Sequence, residues 1–139
     1  MILADTGFFI ALGNKQDRFH KSAVQAVTNL NELLITTYPV VTETSYLLAR
    51  DAGLVVQFNF LEEVANGSFS IFDFQSHHIT RMVELMRRYA DLPMDFADAS
   101  LVVLAEHLNE GRILTSDRRD FSIYRWNNTK SFENLLVLE

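Results

Sequence analysis

The chain has 139 residues, 48% of them hydrophobic and 22% charged, with a formal net charge of −6 and no cysteine. That length is one domain's worth and can bury a real core, so a single domain over residues 1–139 is expected. Disulfides and thiolate metal sites are excluded. No apolar run approaches the roughly 20 residues that a bilayer span needs. The opening stretch lacks a basic n-region and carries Asp5 in its middle, which argues against a signal peptide. A cytoplasmic protein with no membrane partner is therefore expected. The negative balance counts against phosphate binding driven by Lys and Arg, unless several acids gather around a divalent cation that reverses the local sign.

In chain order, "MILA" is a continuous apolar run and reads as a strand buried on both faces. "TGFFIAL" follows as a short helical or irregular segment. In "DRFHKSAVQAVTNL", Phe19, Ala23, Ala26, Val27 and Leu30 recur at helical spacing and predict an amphipathic helix. "ELLITT" is a second buried strand. Pro39 suits the first turn of the helix "PVVTETSYLLARDA", which Gly53 ends. "LVVQFNFLEEVANG" is the next helix, closed by Gly67, and "FSIFDF" alternates as a third strand. "SHHITRMVELMRRYAD" is a helix with Ile79, Met82, Val83, Leu85, Met86 and Tyr89 on its apolar surface. Residues 95–109 form an amphipathic helix, and Glu110-Gly111 turns the chain into a fourth strand, "RILTS". After Asp117 the tail "FSIYRWNNTKSFENLLVLE" reads as one or two short strands around an Asn-Asn turn. Strands alternate with helices, so the class is α/β with a mainly parallel sheet and helices on both faces.

Such a sheet binds ligands beyond the carboxyl ends of its strands. Asp5 directly follows the first strand and Asp117 directly follows "RILTS". The helix of Glu43 leaves the second strand, and the helix of Asp98 runs back into the fourth, so both helix N-termini lie at that same edge. Asp5, Glu43, Asp98 and Asp117 thus converge on one rim. Asp98 shares a helical face with Leu101, Val102 and Ala105, and Glu43 shares one with Val40 and Leu47. A carboxylate on an apolar face must be neutralised, paired or bound to metal, because burying it unpaired is costly. Oxygen donors with little His and no Cys suit Mg²⁺ or Mn²⁺. Taken singly, each aspartate is an ordinary turn former or N-cap; the convergence is the signal.

These residues resemble the motifs of PIN domains. "MILADTGFFIAL" is similar to the family's opening strand and acid, "VVTETSYLL" to its helix-borne second acid, "MDFADASLVVLAE" to its third motif and "ILTSDRRDF" to its fourth. The resemblance implies a three-layer α/β/α sandwich around a mainly parallel sheet. It implies a Mg²⁺- or Mn²⁺-dependent endoribonuclease that hydrolyses RNA phosphodiester bonds. Many small bacterial and archaeal PIN proteins are VapC-type toxins paired with an antitoxin protein. On this resemblance Asp5 and Asp98 hold the metal, and Glu43 and Asp117 complete the site directly or through water. Glu43 is also a candidate acceptor for the proton of the attacking water. Asp95 and Asp120 are auxiliary acids, since members often carry a further acid near the third or fourth motif. Thr115 and Ser116 are candidates to orient Asp5 or to bond a metal-bound water.

Arg118 and Arg119 directly follow Asp117 and are the first candidates for contacting the RNA backbone, with Lys15 and Arg18 second. His77 and His78 are adjacent, so they do not face one another on a helix, and a surface or capping role is expected. A phosphoryl-transfer domain of the haloacid-dehalogenase kind also begins with an aspartate after its first strand. It needs a second one two residues later, where this chain has Gly7. A receiver domain needs adjacent acids there. The alternative from another class is a non-catalytic RNA- or protein-binding PIN-like module whose acids are idle. Apolar surface on "LVVQFNFLEEV" fits a homodimer, an antitoxin or simply the core.

Overall fold

Ile2, Leu3 and Ala4 have no exposure to solvent, which fits a strand covered on both faces. They form β1 (Ile2–Ala4), the central strand of a five-stranded sheet in a computed structural model that describes residues 1–138. The chain continues through α1 (Thr6–Gly13), α2 (His20–Asn29), β2 (Leu34–Thr37) and α3 (Tyr38–Ala52). Then come α4 (Leu54–Ala65), β3 (Ser70–Phe72), α5 (Ser76–Arg88), α6 (Phe96–Leu108) and β4 (Arg112–Leu114). A short helix α7 (Arg118–Ile123), the hairpin strands β5 (Arg125–Trp126) and β6 (Lys130–Ser131), and β7 (Glu133–Asn134) complete it. The sheet order is β3-β2-β1-β4-β7 and every pairing in it is parallel. Helices cover both faces, giving the expected α/β/α sandwich. Among the described residues, no helix is long and apolar enough to cross a membrane.

Local chemistry explains where elements begin and end. Thr37 caps α3 through its hydroxyl, which accepts from Val40 N at 3.4 Å, and a proline follows inside the first turn. Gly53 separates α3 from α4 at φ 99°, a left-handed conformation that favours glycine. Rings of Phe8, Phe9, Phe60 and Phe69 pack edge-on, tilted or stacked at centroid distances of 4.7 to 6.0 Å, tying α1 to α4 and the entry to β3. The phenylalanines are thus mainly core, and truncating one such buried ring typically costs ~3–5 kcal/mol.

Three sequence expectations need correction. The helix at 95–109 is not amphipathic in the usual sense, because Ala97 and every residue from Ala99 to Ala105 are buried. It packs against β1, β2, α3, α5 and the β5 strand, so almost no face is left to water. The tail begins with a helix and not a strand. The side chain of Asp117 accepts from Asp120 N at 3.1 Å and starts α7, and Phe121 and Tyr124, three apart, are buried together. The tail also supplies β7, a fifth parallel strand. Its Asn134 side chain accepts from Thr115 N at 3.2 Å and donates to Thr115 O at 3.0 Å, replacing ladder bonds beyond β4. The Asn-Asn turn is there, with Asn127 and Asn128 at φ 48° and 65° between β5 and β6. Arg81 holds that hairpin down, bonding both carboxylate oxygens of Glu106 at 3.0 and 2.9 Å and Asn128 Oδ1 at 2.8 Å. The rings of His77 and His78 do lie together, 4.0 Å apart. The cause is that His78 turns back to accept from Gln75 N at 2.8 Å and caps α5.

Candidate active site

The order of the strands reverses at β1, which pairs with β2 on one side and β4 on the other. A switch of this kind opens a crevice at the carboxyl ends of the two strands. Asp5 leaves β1 into that crevice, and Asp117 follows β4 into it. Their close approach is eased by Gly7: a β-carbon there would lie 1.8 Å from Ser116 Oγ and 3.0 Å from its Cβ, so that hydroxyl would have to turn away.

Asp5 is only 5% exposed, and both its carboxylate oxygens are engaged. Oδ1 accepts from Thr6 N at 2.7 Å and Oδ2 accepts from the Thr115 hydroxyl at 2.7 Å. The same hydroxyl oxygen accepts from Asp117 N at 2.9 Å, which ties the two acidic loops together. Asp95 Oδ1 accepts from Asp98 N at 2.8 Å and caps α6. Asp98 Oδ2 accepts from the Tyr124 hydroxyl at 2.9 Å. Three helices, α1, α6 and α7, therefore begin at this place, each capped by an aspartate, with their positive dipole ends directed at it. Asp5, Glu43, Asp95, Asp98, Asp117 and Asp120 line one cavity of about 300 Å³, with Thr6, Gly7 and Ser116 among the other walls.

Asp98, Asp117 and Asp120 each offer an oxygen within 4.8 Å of the others. Among the described residues, no ion pair involves any of the six acids. Burial pushes Asp5 up to about 6, helped by the charges of Glu43 and Asp117 and opposed by the bonds from Thr115 and Thr6. Burial, with the neighbouring charges of Asp5 and Asp95, pushes Asp98 up to about 8. Asp117 is raised as well, again mainly by burial. Without a counter-charge these carboxylates hold protons that ordinary aspartates release.

Residues 2–127 match the PIN domain family. This chain is a PIN domain. It is 28% identical over 124 residues to Ribonuclease VapC26 of Mycobacterium tuberculosis, a match covering 89% of this chain and 92% of that one. Among solved structures it resembles the sarcin-ricin loop cleaving toxin VapC20 of M. tuberculosis, with a TM-score of 0.76, 20% identity and coverage of 81% and 87%. It also resembles VapBC2 of Rickettsia felis bound to a fragment of promoter DNA, with a TM-score of 0.66, 18% identity and coverage of 96% and 98%.

Beside the acid cavity of this PIN domain, Arg18, Arg118 and Arg119 line a second depression of about 340 Å³ with Phe19 and Leu138. It shares Ser116 and Asp117 with the acid cavity. Lys15 is exposed and lines neither. Asp5 and Asp98, expected from the sequence to hold the metal first, both line the cavity; Asp98 also forms a tight oxygen group with Asp117 and Asp120, while the oxygens of Asp5 accept from Thr6 and Thr115. Two site residues went unnoticed in the sequence. Tyr124 is fully buried and reaches Asp98; a helical reading of "DRRDFSIY" would have shown its i, i+3 spacing to Phe121. Thr6 is buried, and its hydroxyl has no hydrogen-bond partner among the described residues although the residue lines the cavity. No pattern in the sequence marks that hydroxyl.

Proposed function

We propose that this PIN domain is a Mg²⁺- or Mn²⁺-dependent endoribonuclease that hydrolyses RNA phosphodiester bonds and serves as the toxin of a toxin–antitoxin pair. The observation that carries the reading is the crowding of six carboxylates, none of them paired with a cation, around one cavity at the switch of the sheet. A non-catalytic module would bear that electrostatic cost with nothing to offset it, so the idle-acid alternative is not favoured.

The residues fit a divalent ion. The donors are all oxygens, Asp98, Asp117 and Asp120 lie within reach of one ion, and the unpartnered Thr6 hydroxyl offers a bond to a water or phosphate oxygen. Those three aspartates would hold the ion, with Asp5 and Glu43 completing its surroundings. A bound Mg²⁺ or Mn²⁺ supplies an acidified water and neutralises charge on the phosphate. Thr115 and Thr6 fix Asp5, and Tyr124 fixes Asp98, so neither carboxylate needs to reorganise during the reaction. Glu43 would take one proton of the attacking water as its oxygen bonds to phosphorus; the bond to the leaving oxygen breaks, and that oxygen takes a proton from solvent water. Arg18, Arg118 and Arg119 bind backbone phosphates and set the register of the strand.

The likeness to Ribonuclease VapC26 supports RNA as the substrate. An antitoxin partner is supported by the fold likeness to VapBC2 and to a toxin–antitoxin complex from Klebsiella pneumoniae. The test is cleavage of RNA by the purified chain with Mn²⁺ and with EDTA. Cleavage that EDTA stops, and that Asp5→Asn abolishes while the variant stays folded, is expected. Asp5→Asn protein that cuts as fast as the parent would remove the mechanism.

A further inference from the structure

The first residues of α3 and α6 are both aromatic and both exposed: Tyr38 at 55% and Phe96 at 42%. Neither has a core to fill. The two helix starts are locked together beneath them, since the Thr37 and Ser100 hydroxyls bond at 2.7 Å inside the protein. Between the rings lies a depression of about 560 Å³ whose walls include Pro39, Thr42 and Ala97. Its remaining walls are Glu43 and Asp95, which it shares with the acid cavity. The reacting centre thus opens on two unlike neighbours, the arginine depression through Ser116 and Asp117 and this aromatic one through Glu43 and Asp95.

No Lys or Arg lines the aromatic depression, and two carboxylates stand at its inner edge, so a phosphate is repelled from it. A flat neutral ring is what its walls suit. We infer that Tyr38 and Phe96 form a base-stacking subsite for the nucleobase adjoining the scissile phosphate. The inference rests on the ribonuclease reading above and adds the side on which the substrate is gripped by its base. Phosphates lie on the arginines and the neighbouring base on the aromatic rings. A base inside a duplex cannot reach such rings, so the nucleotide bound there is unpaired.

The test uses a short single-stranded RNA cut at one position, and copies of it with the nucleobase deleted on either side of the cut. Stacking on a protein aromatic contributes ~1–3 kcal/mol per base, a factor of roughly 5 to 150 in affinity. Tyr38→Ala and Phe96→Ala are expected to raise KM by such a factor, with kcat and Mn²⁺ binding unchanged, and Phe96→Trp to restore it. One of the two base-deleted RNAs should lose a similar factor with the parent protein and lose little more with Phe96→Ala. Unchanged KM in both alanine variants would overturn the subsite, as would a base deletion whose penalty simply adds to that of Phe96→Ala. If the parent protein cuts no RNA, the nuclease reading falls, and RNA carrying 2-aminopurine decides stacking alone. Quenching on binding that vanishes in the alanine variants supports the subsite; absence of quenching in the parent refutes it.

Discussion

Asp98→Asn should make the metal-free protein more stable, although it removes a proposed ligand. Asp98 is pushed from 3.8 to about 8, a shift of roughly four units, and each unit is worth about 1.4 kcal/mol. At pH 8 the ceiling is therefore about 5 kcal/mol of stability that the wild type forgoes by carrying this carboxylate. The side chain keeps some contact with solvent, which screens it, so about half, ~2–3 kcal/mol, is the expected gain. Asparagine can still accept from the Tyr124 hydroxyl, and it no longer repels Asp5 and Asp95. For a chain of this size ~3 °C accompanies each kcal/mol, so the melting temperature in EDTA should rise by ~6–9 °C at pH 8. At pH 5 the folded wild type holds this proton, and the gain should shrink to about 1 kcal/mol by the same arithmetic. Thermal melts at both pH values decide it. A variant that melts at or below the wild type at pH 8, or that gains as much at pH 5 as at pH 8, refutes the electrostatic account.

The same sign governs the wild type. Raised carboxylates stabilise the fold below their ordinary 3.8, and that stability is lost as pH climbs past about 6 for Asp5 and about 8 for Asp98. Melting temperature in EDTA should thus fall between pH 5 and pH 8, and saturating Mn²⁺ should flatten the fall by displacing the protons; a rise with pH in EDTA would contradict this. Tyr124→Phe leaves Asp98 Oδ2 without its donor and should weaken Mn²⁺ binding about 10-fold or more with little change in melting. Binding measured from the spectrum of free Mn²⁺ checks this, and an unchanged affinity would end the positioning role. Arg118→Ala and Arg119→Ala should each lower the salt dependence of RNA binding by about one unit of slope, uniformly across sequences. Identical slopes would move the backbone path elsewhere.

The convergence of the acids was legible because the buried strands and the helices between them are strongly signalled in the sequence. Once "MILA" and "RILTS" are strands, Asp5 and Asp117 can only emerge at one edge. Individual bonds were not legible in that way. The engagement of both Asp5 oxygens depends on Thr115 reaching across from β4, 110 positions away. The nearness of Asp120 to Asp98 and Asp117 depends on α7, a single short helix whose apolar spacing also fits a strand. β7 escaped because "SFENLL" has too few residues to show a period, and its ladder with β4, from Glu133 N to Gly111 O and Leu135 N to Ile113 O, joins segments more than 20 positions apart. α6 was misjudged in a different way. Its face periodicity is real around Asp98, but contacts from five elements bury the remainder, and no window of its own sequence reports them.

The coincidence of helix caps with the acidic cavity bears on how relatives of this chain should be judged. Asp5, Asp95 and Asp117 would persist in a copy that had lost its chemistry, since replacing a cap with alanine typically forfeits ~1 kcal/mol of folding stability. Glu43, Asp98 and Asp120 cap no helix, so on the proposed mechanism it is the metal and the reaction that call for them. A homologue's competence is therefore better gauged from that second trio than from the first.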